Sequence, residues 1–277
     1  MTMKEAMSPA ARAFIKVSER VPLLRGVGKR VYASQFYSRT GHIRLFRGIY
    51  RNFAEAARAA PPSAPQSCDN EASAQLLADD RLRICAFDYP VMFWLSRLLP
   101  GCRRVLDWGG GVGITYFGYR RYLNYAPDLS WLVCDVPAVV SLGSKIAAQE
   151  GAPGLRFTSS LAELQQADIL LAAGSLHFIE DPFGPLQAAS VLPRHVLLNK
   201  VPAYDLPSAV TLHNMGTAFC PYHLFNRTEF VGRFERLGYR LIDEWRSPDL
   251  SCPIPFHRGH SIQAYSGFYL VRPGASG

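Results

Sequence analysis

Residues 105–113, VLDWGGGVG, contain an aspartate followed by four glycines. The core of this run has the spacing D-x-G-x-G-x-G, and its acid and glycines are Asp107, Gly109, Gly110, Gly111 and Gly113. A turn this tight needs residues that can take positive φ, and it needs no side chains where a ligand meets the main chain. A helix that follows such a turn aims free N–H groups at the ligand. The run therefore predicts a ligand-binding turn between a strand and a helix.

Two other glycine-rich binding turns fit this run less well. A dinucleotide-binding turn has the spacing G-x-G-x-x-G, and its last glycine lies where the helix packs on the strand. Counted from Gly109 that position holds Ile114, and counted from Gly111 it holds Tyr116. A P-loop would add a lysine followed by Ser or Thr, and neither follows here. A nicotinamide-dependent oxidoreductase is therefore the weaker interpretation.

A second acid ends the next apolar run along the chain. The run SWLVCD at 130–135 places Asp135 at its end, 22 residues after Gly113. A carboxylate at that place can accept hydrogen bonds from both hydroxyls of a ribose. The alternative is that Asp135 only caps a helix predicted at 138–150.

These residues need a scaffold that brings the ends of several strands together. Short apolar runs and helical patterns alternate along the second half of the chain. The predicted strands are 103–108, 130–135, 154–158, 167–173, 194–199, 239–245 and 264–271, and the helices between them are 113–125, 138–150, 183–192 and 227–238. Such alternation predicts an α/β fold with a mostly parallel sheet and helices on both faces. The long non-helical connection between the last two strands predicts an antiparallel edge.

The net charge of +8 is concentrated at the N-terminus. Residues 1–51 hold eleven Lys and Arg against Glu5 and Glu19, so the rest of the chain is nearly neutral. Helical patterns are visible at 8–19 and 49–60, and the run PPSAPQS at 61–67 is the best linker candidate. We predict a basic, mainly helical N-terminal extension or lid at 1–67 and a second domain at 68–277.

Composition excludes several classes of protein. No apolar stretch approaches the ~18 residues that span a membrane, and no secretory signal is visible, so we expect a cytoplasmic protein. The six cysteines include no C-x-x-C pair, which argues against a zinc site, and we expect all six to be reduced.

The glycine run and the acid at 135 resemble motif I and the ribose-binding acid of class I S-adenosylmethionine-dependent methyltransferases. The resemblance implies a Rossmann-like, seven-stranded, mostly parallel sheet whose last strand is antiparallel, and it makes residues 68–277 the methyltransferase domain. S-adenosylmethionine is the implied cofactor, and no metal is needed. In this family the turn wraps the methionine end and the ribose. Asp107 either braces the turn or reaches the cofactor's ammonium group through water.

Two further segments carry the same resemblance. FTSSL at 157–161 is similar to the turn at the adenine edge, where Ser159 and Ser160 either contact adenine or cap the next helix. AAGSLHFIEDP at 172–182 resembles the segment after the fourth strand, where the carbonyl groups of Gly174 and Ser175 would lie under the sulfonium. Tyr116 would line one side of the cofactor site, or it packs between helix and sheet.

Within the superfamily the chain looks closest to a group of uncharacterised bacterial methyltransferases associated with genes for surface polysaccharides or secondary metabolites. The shared features are the runs at 48–56, 105–117 and 222–230. The implied reaction is methyl transfer to an O or N atom of a small molecule such as a sugar, a nucleotide sugar or a secondary metabolite. The alternatives are an RNA methyltransferase that uses the basic N-terminus and a non-catalytic cofactor-binding protein.

An O or N acceptor needs a general base, and three histidines are the candidates: His177, His213 and His223. Each is alternatively a structural residue. The basic N-terminus fits an anionic small-molecule acceptor, a membrane surface that carries a lipid-linked substrate, or RNA. RNA is the less favoured partner because no added RNA-binding module is visible. A solvated basic helix with no partner remains the fourth interpretation.

Overall fold

The computed structural model describes residues 7–38, 44–79 and 81–273. Its α-helices are α1 (Pro9–Ser18), α2 (Pro22–Tyr37), α3 (Phe53–Arg58), α4 (Glu71–Asp79), α5 (Tyr89–Leu98), α6 (Ile114–Tyr119), α7 (Pro137–Gln149), α8 (Gly184–Ala188) and α9 (Arg227–Arg236). Its strands are β1 (Leu45–Tyr50), β2 (Arg104–Trp108), β3 (Ser130–Cys134), β4 (Leu155–Thr158), β5 (Ile169–Ala173), β6 (His195–Val201), β7 (Ala203–Tyr204), β8 (Ala209–Asn214), β9 (Phe219–Asn226), β10 (Arg240–Ser247) and β11 (Tyr265–Val271). None of the described helices combines the length and the apolar composition needed to cross a membrane.

Seven strands form the main sheet, in the order β10-β11-β6-β5-β2-β3-β4. The pairs β2–β3, β3–β4, β2–β5 and β5–β6 are parallel, whereas β11 is antiparallel to both of its neighbours. The predicted fold class, with a Rossmann-like seven-stranded sheet and an antiparallel last strand, is confirmed. Strand β2 lies at the point where the strand order reverses. Open α/β sheets bind their ligands in the crevice beyond the carboxyl ends of the strands at such a point.

Alternate residues of the strands pack into two hydrophobic cores, one on each face of the main sheet. On β2, Val105 packs into the first core and Leu106 into the second. The same alternation separates Val133 from Leu132 on β3. Because successive strand residues point to opposite faces, a nearly continuous apolar run is needed to fill both cores. This pattern made the strands recognisable in the sequence.

A second, four-stranded sheet has the order β1-β8-β9-β7. Its central hairpin, β8–β9, is absent from the strands that the sequence predicted, and to this extent the prediction is wrong. The edge strand β1 comes from the N-terminal part of the chain and pairs antiparallel with β8, so that Phe46 lies opposite His213. This pairing joins segments more than 150 residues apart, which local patterns do not reveal.

The N-terminal helices pack on this second sheet. Phe36 of α2 is fully buried, and its ring lies 5.5 Å from that of Phe219 on β9. The helix predicted at 49–60 is shorter than expected, because β1 occupies 45–50 and the Asn52 side chain caps the helix by accepting a bond from the Glu55 amide. The basic residues Lys4 and Arg39 lie outside the described residues. The division of the chain at residue 67 stays a prediction.

We expect Phe36→Ala to lower the free energy of unfolding by about 3–5 kcal/mol, because the change empties a buried ring position between α2 and the second sheet. Leu23→Ala on the same helix is the matched control, since Leu23 is 93% exposed. Urea unfolding of both variants measures the difference. Equal stability of the two variants would show that α2 is not packed as described.

Candidate functional site

The glycine turn connects β2 to α6 and has the backbone that its composition predicted. Gly109 has a φ of +72°, and a Cβ atom there would lie 2.1 Å from the Ser175 Cβ. The Gly109 amide donates a 2.7 Å hydrogen bond to the Cys134 carbonyl, and the Ser175 hydroxyl donates to the Trp108 carbonyl. The turn is thereby held against the ends of β3 and β5. Any side chain at residue 109 would push these segments apart.

Asp107 lies under the turn and is fully buried. Its Oδ2 accepts hydrogen bonds from the Thr115 hydroxyl and, at 3.1 Å, from the Trp131 indole N–H. Its Oδ1 is buried and has no hydrogen-bond partner among the residues that the structure describes. Burial raises the pKa of this carboxyl group to about 6. These contacts brace the turn, and the second predicted role, contact with a cofactor, stays a prediction.

Asp135 follows β3 and is hydrogen-bonded to the glycine turn, so that the turn and this acid form one site. Its Oδ2 accepts a 2.9 Å hydrogen bond from the Gly111 amide, and its Oδ1 accepts a 2.7 Å bond from the Val136 amide. Burial raises the pKa of Asp135 above its usual value. Each carboxylate oxygen can accept more than one hydrogen bond. The acid can therefore hold the turn and still accept hydroxyl groups of a ligand.

A cavity of about 940 Å³ opens at the carboxyl ends of the central strands. Its volume lies within the range of ligand sites in proteins, about 300–1,000 Å³. Six of the residues predicted to bind the cofactor line it: Gly109, Asp135, Ser159, Ser160, Gly174 and Ser175. The Ser160 hydroxyl also accepts a bond from the Ala162 amide, although the cap residue of the short helix that begins at Ala162 is Leu161.

The other predicted cofactor residues do not line this cavity. Asp107, Gly110, Gly111 and Gly113 lie in or under the turn. Tyr116 packs in the core, where its ring lies 5.1 Å from that of Tyr125 and 5.8 Å from that of Trp131. Of the two roles left open for Tyr116, its contacts match packing between helix and sheet.

Several walls of the cavity come from residues that the sequence did not single out. Phe53 of α3 and Leu77 of α4 line it from the N-terminal side, and Cys68 lies between these helices. Met215 and Cys220 line it from the β8–β9 hairpin. No sequence signal could have found these residues together, because no short motif links them and they meet only through the second sheet.

The lining of the cavity includes none of the three predicted histidine bases, and two of them are buried. His177 and His213 are buried, and the ring of His213 stacks on Phe46 at 4.5 Å. The Phe178 ring, which lines the cavity, lies 4.6 Å from His177 and 5.8 Å from His213. Burial lowers the pKa of both histidines well below its usual value, so both are neutral.

His223 is partly buried and touches the cavity wall directly. Its Nε2 lies 3.0 Å from the Glu180 carbonyl oxygen, and its ring lies 4.5 Å from that of Phe53. Phe53 and Glu180 both line the cavity. Burial lowers the pKa of His223, so its ring is neutral near pH 7. Because Nε2 donates to a carbonyl, Nδ1 is left as the basic nitrogen.

Comparisons with known proteins find matches among solved structures alone. No protein-family model and no curated protein matches the chain. The chain has a Rossmann-like fold. It is similar to the 1,6-didemethyltoxoflavin-N1-methyltransferase of Burkholderia thailandensis, with a TM-score of 0.46 and 18% identity over 77% of this chain and 94% of that one.

Two further solved structures are similar to the chain. One is the magnesium protoporphyrin IX methyltransferase of Synechocystis PCC 6803 with S-adenosylhomocysteine bound, with a TM-score of 0.47 and 16% identity over 74% of this chain and 88% of that one. The other is the N-terminal domain of EvdMO1 with S-adenosylhomocysteine bound, with a TM-score of 0.46 and 14% identity over 68% of this chain and 82% of that one. The strand order of the chain's own main sheet establishes its fold.

Asp107→Asn should change how stability depends on pH. Burial raises the pKa of Asp107 from its unfolded value to about 6, so the folded chain binds this proton more tightly than the unfolded chain does. The resulting stabilisation is present below about pH 4 and is lost as the pH rises through about 6, a difference of about 3 kcal/mol. Urea unfolding between pH 4.5 and pH 7.5, a range set by these two pKa values, should show this loss in the unchanged chain and not in Asp107→Asn. Asp128→Asn, at an exposed ion pair, is the control. Parallel profiles for all three proteins would contradict the raised pKa.

Proposed function

We propose that the chain is an S-adenosylmethionine-dependent methyltransferase that moves a methyl group to an O or N atom of a small molecule. One observation carries the proposal: the hydrogen bond from the Gly111 amide to Asp135 joins the glycine turn to a strand-end acid at the edge of the cavity. The cavity lies where the strand order of the sheet reverses, which is where such sheets bind ligands.

The groups around the cavity fit this cofactor. The free acceptor sites of Asp135 would hold the ribose hydroxyls, and Ser159 and Ser160 would lie at the adenine. The bare main chain at Gly109 and the segment Gly174–Ser175 would hold the methionine end. The unpaired Oδ1 of Asp107 is an acceptor that a water molecule could link to the ammonium group.

The sulfonium of the bound cofactor supplies an electrophilic methyl group, so transfer proceeds by in-line displacement. The chain's part in this reaction is to align the acceptor, to exclude water and to take the acceptor's proton. Phe53, Leu77 and Phe178 give the cavity an apolar lining that excludes water. Of these side chains only Phe53 belongs to the segment 1–67, and on this contact we propose that segment as a cover of the cavity.

Among the three candidate bases we place His223 first. It is neutral near pH 7, and it contacts Phe53 and Glu180 of the cavity wall. His177 and His213 also contact a lining residue, Phe178, but both are buried, whereas His223 is only partly buried.

Asp135→Asn should weaken the binding of S-adenosylmethionine and S-adenosylhomocysteine by about 10–100-fold, because a carboxylate accepts hydroxyl groups about twice as strongly as an amide does. Isothermal titration calorimetry measures this change, with NADH as the competing cofactor class. Asp128→Asn, far from the cavity at an exposed ion pair, should bind like the unchanged chain. Tight binding of NADH, or equal affinities for both variants, would overturn the proposed cofactor site.

His223→Gln should lower kcat by about 10²–10⁴-fold and leave the affinity for S-adenosylhomocysteine unchanged, because the base acts on the acceptor and not on the cofactor. The acceptor is first found by screening candidate small molecules with methyl-labelled cofactor. His177→Gln and His213→Gln are the matched comparisons. A larger loss in either of these two variants than in His223→Gln would assign the base to the buried pair instead.

A further inference from the structure

Three sulfur atoms converge in the wall of the cavity. The Sγ atoms of Cys68 and Cys220 lie 3.3 Å apart, and the Met215 Sδ lies 3.4 Å from the first and 3.9 Å from the second. Both cysteines are free thiols. We call these three residues the sulfur triad. Two neighbouring thiols alone would suggest a disulfide pair. A disulfide has no use for a third sulfur atom, so the thioether in contact with both thiols indicates another role.

Hydrogen bonds that do not involve sulfur hold the sulfur triad in place. The Phe219 amide donates to the Pro65 carbonyl at 2.8 Å, and the hydroxyls of Ser73 and Thr217 lie 2.8 Å apart. Both bonds join the segment 65–73 to the β8–β9 hairpin. The arrangement of the sulfur atoms is therefore set by the backbone before any ligand binds.

The geometry of the sulfur triad suits a metal ion. A point about 1 Å above the plane of the three sulfur atoms lies about 2.3 Å from each of them, which is the length of a metal–thiolate bond such as Zn–S. Structural zinc takes four ligands, and the described residues contain no group of three His, Cys, Asp or Glu placed to hold a metal. Two thiolates with one thioether are instead the soft donor set that selects Cu(I).

We propose that the sulfur triad binds one Cu(I) ion at the edge of the cavity. Binding replaces the two thiol protons of Cys68 and Cys220 and involves no change of oxidation state. The ion links the segment 65–73, which covers the cavity, to the β8–β9 hairpin. This site is independent of the proposed methyl transfer, because it needs neither the cofactor nor an acceptor.

The test is an anaerobic titration of the reduced full-length chain with Cu(I) in the presence of a colorimetric Cu(I) chelator. We expect one Cu(I) per chain to be withheld from the chelator. The double variant Cys68→Ser/Cys220→Ser should weaken binding by at least about 100-fold, since changes even to the residues behind metal ligands cost about 10–100-fold. Cys134→Ser is the matched control, because Cys134 lines the same cavity outside the sulfur triad.

Met215→Leu keeps the side-chain volume and tests the third ligand without disturbing the fold. X-ray absorption should show three sulfur neighbours of Cu(I) at about 2.3 Å in the unchanged chain, a bond length like that of Zn–S, and two in Met215→Leu. The proposal is overturned if the chelator removes all copper from the unchanged chain. It is equally overturned if Cys134→Ser weakens binding as much as the double variant does, or if Met215→Leu leaves the sulfur count unchanged.

Discussion

One hydrogen bond, from the Gly111 amide to the Asp135 carboxylate, ties the carboxyl ends of β2 and β3 together, and the candidate site depends on it. The bond requires a main chain that turns sharply after β2, which the left-handed conformation of Gly109 provides. It also requires a carboxylate that keeps its charge although partly buried. A side chain at 109 would clash with Ser175 after β5, and a neutral residue at 135 would accept the Gly111 amide more weakly.

The buried Asp107 supports this arrangement from below at a cost to stability. Its Oδ2 is satisfied by Thr115 and Trp131, whereas its Oδ1 has no partner among the described residues. A half-satisfied buried carboxylate is costly in a folded protein, which is why its pKa rises. Buried polar groups that lack a hydrogen-bond partner are typical of sites that bind ligands, where the ligand supplies the missing partner.

The second sheet decides what the cavity can enclose. It brings β1 and α3 from the N-terminal part of the chain against the hairpin that follows β6. Phe53, Cys68 and Met215 therefore become neighbours across the mouth of the site. The same packing buries His177 and His213 against Phe178 and leaves His223 only partly buried. Fold and chemistry are thus linked through contacts that are distant in sequence.

The sequence by itself determined the main sheet, the glycine turn and the acid at 135, because strand period, helix alternation and a backbone that only glycine adopts are local properties of the chain. Ser159, Ser160, Gly174 and Ser175, which the sequence assigned to the cofactor, line the cavity, and their contact with a cofactor stays a prediction. The second sheet, the packing of Tyr116 and the burial of two histidines were decided only by the tertiary structure. The second sheet and the burial of the two histidines depend on pairing between segments far apart in the chain, and such pairing leaves no periodic pattern in either segment alone. Tyr116 packs on the nearby Tyr125 and Trp131, but only the folded chain decides which way its ring faces.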